Sequence, residues 1–323
     1  MSFGGGIGRL ARRLALAPLV AVGLTSTGAA AHPADDADPW VSLAVGGLDR
    51  HYLLHLPAGG RGEAPALPLV IVLHGAGGDA RSMADMTGFS PIADWQHFIV
   101  AYPEGTSIGI DPPHPTWNAG FCCGAAARNH VDDLAFLSAL IERLAAEQPI
   151  DRRRIYLTGL SNGAMLAYRF AAEHPEQVAA IAPVAGTIGG TAGTGQPPIT
   201  IERPDRPVPV LIIHGMLDGY ILYRGGVSPN VGIPGRFNVS VDDAVRFWTA
   251  ADGCAQPPMR RATADGRVIF QEYATCRDRA EVRLVTLVRG PHEWPVAIER
   301  RDGRLEPTAA LIWRFFTQHQ RQP

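Results

Sequence analysis

A serine stands between two closely spaced glycines, at Gly159, Ser161 and Gly163. The residues before it, 155–158, form a short apolar run rich in β-branched and aromatic side chains, which is typical of a buried strand. Residues 164–172 have helical composition. A tight turn between such a strand and helix raises the central hydroxyl above the end of the sheet, and glycines without Cβ atoms let the two elements approach. We therefore predict that Ser161 is a nucleophile; the alternative is an ordinary Gly/Ser turn.

A serine hydroxyl needs a base within hydrogen-bond reach, and the base needs a carboxylate to orient it. In the α/β-hydrolase arrangement the chain order is serine, acid, histidine. His292 follows the last predicted strand, residues 282–288, in a loop that contains a glycine and two prolines. Such a loop is a rigid place to hold a base, whereas His319 lies near the end of a terminal helix. We predict that His292 is the base; the alternative is a structural loop histidine.

The orienting acid should follow the preceding predicted strand, residues 208–213. Asp218 comes close behind that strand. Asp242 and Asp243 begin the next predicted helix, where acidic side chains are explained by the helix dipole. We therefore predict that Asp218 is the acid. His214, at the end of the same strand, is interpreted as a structural residue.

An oxyanion hole would complete such a site. One donor should be the backbone N–H of Asn162, the residue after the nucleophile. The other should come from Ala76 or Gly77, in a Gly-rich loop behind the buried strand at residues 69–73. A plain tight turn is the alternative for this loop. A phosphate-binding loop is excluded because no Gly-Lys-Ser/Thr sequence ends it.

The first residues of the chain have the pattern of an export signal. Three arginines precede a short apolar stretch at residues 14–24, and small residues follow at 29–31. We predict a signal peptide at residues 1–31 and one catalytic domain at residues 32–323, with secreted or periplasmic localisation and no membrane contact after cleavage. An uncleaved membrane anchor is the alternative. The formal net charge of −2, without a long basic block, argues against a nucleic-acid partner.

Strands alternate with helices along the rest of the chain, which predicts an α/β fold with a mostly parallel central sheet covered by helices on both faces. The first two strands read as an antiparallel edge pair. Two Gly/Pro-rich stretches and one long segment are predicted as loops. The predicted strands are residues 40–45, 51–57, 69–73, 98–102, 154–160, 178–184, 208–213, 267–273 and 282–288; the helices are residues 91–96, 131–148, 164–172, 240–251 and 307–318; the loops are residues 103–130, 186–207 and 219–239.

Four cysteines lie in the predicted exported part, at Cys122, Cys123, Cys254 and Cys276. Export permits disulfides, and four cysteines allow three pairings. The adjacent pair could form a vicinal disulfide or remain as buried thiols. Metal binding is disfavoured because no histidine lies at ligand spacing from them. The sequence predicts neither a metal nor a cofactor.

Five motifs together resemble the polyhydroxybutyrate depolymerase and feruloyl esterase family of α/β-hydrolases. They are His74-Gly-x-Gly-Gly, Trp117-Asn-Ala-Gly-x-Cys-Cys-Gly, Gly159-Leu-Ser-Asn-Gly-Ala-Met, His214-Gly-x-x-Asp218 and His292-x-Trp294-Pro295. The resemblance runs from about Asp49 to the C-terminus. It implies a secreted serine esterase acting on a small-molecule or polymeric ester, either a polyester or hydroxycinnamoyl esters of plant polysaccharide. It maps the triad onto the same serine, aspartate and histidine.

The motifs also depart from the family. Pro291 and Val296 stand where family members usually carry glycine. The chain ends soon after the last predicted helix, without the linker and polymer-binding domain typical of depolymerases that act on crystalline polymer. Soluble oligomers or small esters are therefore the expected substrates. An exported peptidase of the same fold and a non-catalytic binding protein are the alternative functions.

Two further expectations concern the surroundings of the triad. Export and the family resemblance together imply a Cys254–Cys276 disulfide. Ligands of open α/β sheets bind at the C-terminal edge of the strands, in pockets that are mostly apolar. Trp294, Trp117 and Tyr223 lie in loops expected at that edge, so we predict that they line the acyl or alcohol site. Core packing of the loops is the alternative.

Overall fold

The computed structural model describes residue 1 and residues 38–58, 65–109, 113–191, 193–230 and 235–321. Asp38–Pro323 forms one compact unit. The predicted signal peptide, residues 1–31, lies outside the described residues apart from Met1. Within the part that is described, no helix is both long and apolar enough to cross a membrane.

Strands and helices alternate along most of this unit. The strands are β1 (Trp40–Val45), β2 (Leu48–His55), β3 (Leu67–Leu73), β4 (Ile99–Pro103), β5 (Ile150–Leu160), β6 (Ala180–Val184), β7 (Gly189–Gly190), β8 (Ile199–Thr200), β9 (Val210–Gly215), β10 (Gly226–Val227), β11 (Phe237–Asn238), β12 (Met259–Ala262), β13 (Val268–Tyr273), β14 (Val282–Leu287), β15 (Ala297–Glu299) and β16 (Leu305–Pro307). The helices are α1 (Ala80–Thr87), α2 (Phe89–Gln96), α3 (Gly124–Arg128), α4 (Asp133–Glu147), α5 (Asn162–Glu173), α6 (Val241–Ala251) and α7 (Thr308–Phe316), with a 3₁₀ turn at Arg277–Arg279.

The main sheet has the strand order β1-β2-β4-β3-β5-β6-β9-β14-β13-β12. The central strands from β4 to β14 run parallel to one another, and antiparallel pairs close both edges. Every residue of β3, β6 and β9 is buried, as expected for parallel strands covered on both faces. The predicted fold class and the antiparallel edge pair β1–β2 are confirmed.

Alternate residues of β3 face two different helix layers. Leu69, Ile71 and Leu73 pack in the core that includes α4, α5 and α6. Val70 and Val72 pack in the core that includes α1, α2 and α7. The sheet therefore lies between two helix layers, and its C-terminal strand ends open onto the loops that carry the predicted site residues.

Several parts of the fold differ from the predictions, among them α3 within the predicted loop 103–130 and the unpredicted strands β12, β15 and β16. Helix α1 was not predicted, although Asp79 caps it by accepting a hydrogen bond from the backbone N–H of Ser82. Its apolar face is short and follows directly on a Gly-rich loop, so periodicity alone does not reveal it. The two predicted loops at residues 186–207 and 219–239 contain β7, β8, β10 and β11, which form a small four-stranded sheet among the described residues. Strands of two residues carry too little pattern to be detected.

Candidate active site

Ser161 occupies the sharp turn between β5 and α5, with φ 55° and ψ −114°. A non-glycine residue in such a conformation costs on the order of 1–3 kcal/mol and persists because its surroundings enforce it. A Cβ on Gly159 would lie 2.7 Å from the carbonyl oxygen of Leu73, and one on Gly163 would lie 2.5 Å from that of His74. Both glycines are therefore needed for the close approach of β3, β5 and α5 that holds the serine in place.

The structure brings the three predicted residues into one hydrogen-bonded chain. His292 Nε2 lies 2.9 Å from Ser161 Oγ, and His292 Nδ1 lies 2.8 Å from Asp218 Oδ2. An ionised carboxylate only accepts hydrogen bonds, so His292 carries its proton on Nδ1 and donates it to Asp218. Nε2 of the neutral ring then accepts the hydroxyl proton of Ser161. This arrangement can remove a proton from the serine.

Asp218 is buried in the loop after β9. Its Oδ1 accepts the backbone N–H groups of Tyr220 and Ile221, both at 2.8 Å. Burial raises the pKa of this carboxyl, but the hydrogen bonds and charges of His214 and His292 outweigh burial and hold the pKa far below its usual range. The carboxylate therefore stays ionised and orients His292.

His214 contacts the acid directly, which the sequence analysis did not predict. Its Nε2 lies 3.2 Å from Asp218 Oδ2 and 2.8 Å from the carbonyl oxygen of Ile221. Both neighbours accept, so Nε2 must carry the proton. The signal available in the sequence was the spacing of His214 and Asp218 across the turn after a predicted strand.

The two predicted donors of the Gly-rich loop differ in their partners. The N–H of Gly77 donates to the carbonyl oxygen of Pro115 at 2.8 Å, so it is not available to an oxyanion. The prediction of Gly77 as an oxyanion-hole donor is therefore wrong. The loop nevertheless adjoins the nucleophile, because a Cβ on Gly75 would lie 3.5 Å from Ser161 Cβ. Ala76 is therefore the candidate donor from this loop. Asn162 begins α5, where a first-turn N–H has no partner within the helix.

A neutral histidine supports the oxyanion loop from behind. His74 Nδ1 donates to the carbonyl oxygen of Gly75 at 2.7 Å, and Nε2 accepts the N–H of Gly105 at 2.9 Å. Burial lowers the pKa of His74 to about 4, so the ring stays neutral at physiological pH and keeps this pair of bonds.

Trp117 is a packing residue and does not line the substrate site, which corrects its prediction. The side chain is 0% exposed, and its indole N–H donates to the carbonyl oxygen of His74 at 2.9 Å. The Asn162 side chain accepts from the backbone N–H of Trp117 at 2.8 Å and donates to its carbonyl oxygen at 3.0 Å. Trp117 therefore ties the oxyanion loop to the start of α5.

Trp294 is also a packing residue, whereas the place of Tyr223 at the substrate wall stays a prediction. Trp294 is 4% exposed and contacts the Phe89 ring edge-on, with ring centroids 6.2 Å apart. Tyr223 is partly buried, and its hydroxyl lies 2.8 Å from Thr286 Oγ1. Large aromatic side chains near strand ends fill the gaps beneath loops, and residue type alone does not distinguish that place from a substrate wall.

An exposed aromatic side chain that was not predicted flanks the triad instead. Tyr220 is 48% exposed, and its ring centroid lies 5.1 Å from that of His292. Leu217, next to Asp218, and Val296, four residues after His292, are exposed as well. The sequence analysis missed Tyr220, and its position two residues after Asp218 was the signal available.

Both cysteine pairs are bonded. Cys254 and Cys276 are joined with their Cα atoms 3.9 Å apart, as the family resemblance implied. Cys122 and Cys123 are joined to each other, which decides between the alternatives for this pair.

Comparison with known proteins identifies the family of this chain. Residues 50–245 match the family model described as "Esterase PHB depolymerase". "Putative esterase NocK" of Nocardia uniformis subsp. tsuyamanensis is 30% identical over 266 residues, which cover 78% of this chain and 73% of that protein. Feruloyl esterase B of Piromyces equi is 27% identical over 244 residues, which cover 75% of this chain and 42% of that protein.

The solved structure of an acetyl xylan esterase from Aspergillus awamori has a TM-score of 0.56 at 13% identity, covering 86% of this chain and 99% of that one. At this identity the similarity concerns the fold, which is that of the α/β-hydrolases. With the family match over most of the catalytic unit, the chain belongs to the esterase and polyhydroxybutyrate depolymerase family and is a carboxylic ester hydrolase.

Proposed function

We propose that this chain is an exported serine esterase that works through an acyl-enzyme, with Ser161, His292 and Asp218 as its catalytic triad. The observation that carries the proposal is the unbroken chain of contacts, 2.8 Å and then 2.9 Å, from the buried carboxylate to a serine held on a strained turn. A serine in an ordinary Gly/Ser turn would need neither this conformation nor these partners.

In the first half of the reaction, Ser161 Oγ attacks the carbonyl carbon of the ester while its proton passes to His292 Nε2. The carbonyl π electrons move to the oxygen, which accepts the backbone N–H groups of Asn162 and Ala76. The positive end of α5 adds to this stabilisation. Asp218 stays ionised and stabilises the imidazolium. The bond to the alcohol then breaks, and His292 returns the proton to the leaving oxygen.

In the second half, water attacks the acyl group on Ser161 and gives its proton to His292 Nε2. The new tetrahedral intermediate uses the same two backbone donors. Its collapse breaks the bond to Ser161 Oγ, which takes the proton back from His292. The products are one carboxylic acid and one alcohol, and the enzyme is restored without a metal or cofactor entering any step.

The proposed substrates are oligomers of hydroxy acids and hydroxycinnamoyl esters. The exposed ring of Tyr220 beside His292 supports an organic acyl or alcohol group there. The relationship to proteins named feruloyl esterase and polyhydroxyalkanoate depolymerase supports the same substrate classes.

We also propose that residues 1–31 are a signal peptide and that the mature enzyme is secreted or periplasmic. The two disulfides support this, because such bonds persist in oxidising compartments. Expression of the full chain in a bacterium should yield exported protein whose intact mass lacks the first 31 residues. A cytoplasmic or uncleaved product would contradict this proposal.

The catalytic proposal is tested with 4-nitrophenyl butyrate and a fluorophosphonate probe. The wild type should hydrolyse the ester and become labelled, and Ser161→Ala should lose labelling and at least about 10³-fold in kcat/KM. Ser42→Ala, in the exposed edge strand β1, is the matched control and should behave as the wild type. Labelling that persists in Ser161→Ala, or casein hydrolysis without ester hydrolysis, would overturn the proposal.

A further inference from the structure

Arg236 is a buried cation beside the vicinal disulfide. It directly precedes β11 and is 8% exposed. Its Nη2 donates to Cys122 Sγ at 2.8 Å and lies 3.4 Å from Cys123 Sγ. Disulfide sulfur is a weak, uncharged acceptor, so these contacts do not neutralise the guanidinium. Burial lowers the pKa of Arg236, which reflects the cost of keeping this charge out of water.

Another buried arginine shows how this fold handles such a charge elsewhere. Arg50 is 3% exposed, and its Nη2 donates to Asp133 Oδ1 at 2.8 Å. Asp133 is itself fully buried and also accepts the N–H of Asn118. For Arg236, no aspartate or glutamate lies within ion-pair distance among the residues 38–58, 65–109, 113–191, 193–230 and 235–321. A buried charge without a partner is expensive, and proteins normally keep one only when something pairs with it.

The disulfide that Arg236 contacts packs against the candidate active site. Cys122 and Cys123 form one buried cluster with Met165 and Ile221, among others. Met165 lies in the first turn of α5 and donates its N–H to the carbonyl oxygen of Ser161 at 3.0 Å. The N–H of Ile221 donates to the carboxylate of the triad. Arg236 therefore contacts a cluster whose members Met165 and Ile221 touch the two ends of the triad.

The strand that follows Arg236 turns polar groups toward the same side. Asn238, two residues on, is fully buried, and its amide donates to the carbonyl oxygen of Tyr220 at 3.4 Å. Its Oδ1 has no hydrogen-bond partner among the described residues. Phe237, between them, is partly exposed on the opposite side. The buried guanidinium is thus two residues from Asn238, which contacts Tyr220, the residue whose ring lies beside His292.

We propose that Arg236 binds a free carboxylate on the substrate, so that the enzyme prefers esters that carry a second, ionised carboxyl group. The short linear oligomers of a hydroxy acid are esters of this class, because each ends in a carboxylate. A planar guanidinium can donate two parallel hydrogen bonds to such a group, and a carboxylate is the counter-ion that the buried charge lacks. This inference rests on the proposed esterase function of the same site.

Two substrates of nearly equal size separate the charge effect from catalysis. They are the linear dimer of 3-hydroxybutyrate, which ends in a carboxylate, and its terminal carboxamide, which is neutral. Hydrolysis of the central ester is followed by chromatography, and 4-nitrophenyl butyrate reports esterase activity alone. The wild type should show a higher kcat/KM on the acid than on the amide, by about tenfold or more, as expected for hydrogen bonds to a charged group.

The variant Arg236→Met removes the charge and keeps the length of the side chain, and it should bring the acid-to-amide ratio close to one. Arg236→Lys keeps the positive charge but loses the planar guanidinium, so it should show an intermediate acid-to-amide ratio. This variant replaces Arg236→Met as the test if the methionine variant does not fold. Arg246→Met is the control, because Arg246 is exposed and paired with Asp243, and it should keep the wild-type ratio.

The outcomes distinguish the two proposals. Absence of hydrolysis of every ester, including 4-nitrophenyl butyrate, would contradict the esterase proposal. Hydrolysis of 4-nitrophenyl butyrate with equal values for acid and amide, or with neither dimer cleaved, would overturn the role of Arg236. A purely structural role predicts that Arg236→Met lowers kcat/KM for acid and amide by the same factor and lowers the melting temperature, and that result would overturn it as well.

Discussion

Two imidazoles contact the same carboxylate oxygen, Asp218 Oδ2: His292 Nδ1 donates to it at 2.8 Å, and His214 Nε2 lies 3.2 Å away. The acid is therefore held between two imidazoles, while its other oxygen is held by two backbone N–H groups. His214 is fully buried, and its Nδ1 has no partner among the described residues. We infer that His214 is a positioning residue, acting on catalysis through Asp218.

Replacement of His214 should therefore lower kcat more than it raises KM. His214→Leu removes the polar contact to the Asp218 carboxylate, and a polar partner of a charged group is worth about 1.5–3 kcal/mol, so kcat should fall about tenfold or more. His214→Gln can return an N–H near the position of Nε2 and should recover part of the loss. Steady-state kinetics on 4-nitrophenyl butyrate measure both effects. Tyr223→Phe, which removes a neighbouring hydroxyl bonded to Thr286, should leave kcat within about twofold. Equal kinetics for the leucine and glutamine variants, with a loss only of thermal stability, would refute the positioning role.

Trp117→Phe tests the correction of the substrate wall. The change keeps an aromatic ring but removes the N–H that donates to the carbonyl oxygen of His74. Because His74 supports the oxyanion loop, kcat should fall by a similar factor for acetyl and feruloyl esters. The buried carbonyl left without its partner should cost about 1–3 kcal/mol in the free energy of unfolding. Trp95→Phe, at an exposed position, is the control. A loss confined to feruloyl esters would restore Trp117 to the substrate wall.

Gly163 and Gly75 offer a matched pair for the turn that holds the nucleophile. A Cβ on Gly163 would lie 2.5 Å from two backbone carbonyl oxygens, whereas one on Gly75 would meet its nearest atoms at 3.5 Å, an ordinary contact. Gly163→Ala should therefore destabilise the fold by about 3 kcal/mol or prevent its folding, and Gly75→Ala should be tolerated within about 1 kcal/mol. Chemical denaturation measures both. Similar stability for the two variants would mean that the turn relaxes around the added methyl group.

Burial of Asp252 makes stability depend on pH. The side chain is fully buried, and its Oδ1 accepts the N–H of Val208 at 3.0 Å, while Oδ2 has no partner within the described residues. Burial raises its pKa to about 7 from an ordinary value of 3.8. Between these values the native state holds a proton that the unfolded chain has lost. The stabilisation is therefore complete below pH 3.8 and is lost as the pH rises through about 7.

For the wild type, this group alone should remove about 2–3 kcal/mol from the free energy of unfolding between pH 5 and pH 8. Asp252→Asn cannot ionise, so the variant should lose correspondingly less over the same range. Urea denaturation at both pH values measures the difference. Asp265→Asn, at an exposed position, should follow the wild type. Identical pH dependence for wild type and Asp252→Asn would contradict the assignment.

The sequence predicted the parts of the fold and site whose signals are local. Strands such as β3 and β9 are continuous apolar runs, and the residues that follow them in chain order, including Asp218, lie at the same sheet edge because the strands are parallel. The glycines around Ser161 signal a close approach that only glycine permits. These features depend on residues that are close together along the chain, so the sequence was sufficient to predict them.

The features that the sequence did not reveal depend on contacts between distant segments. Trp117 and Tyr220 are both aromatic residues near strand ends, yet one is fully buried against His74 and the other is exposed beside His292. Nothing in residue type separates them. In the same way, the engagement of the Gly77 N–H depends on Pro115, which reaches it from a loop almost forty residues later.

Tyr220 is the residue that we expect to contact the organic part of the substrate. Its backbone N–H holds Asp218, and its ring is 48% exposed beside that of His292. Tyr220→Ala keeps the backbone donor, so the triad should remain in place while the apolar surface beside it is lost. Aromatic stacking is worth about 0.5–1.5 kcal/mol beyond area burial, so kcat/KM on methyl ferulate should fall about tenfold. On an acetyl ester, which does not extend along the ring, the loss should stay within about twofold.

Trp40→Ala, another exposed aromatic far along the sheet in β1, is the control and should change neither value. Equal losses on both esters would mean that Tyr220 supports the triad instead, because the acetyl ester has no aromatic group for the Tyr220 ring to contact.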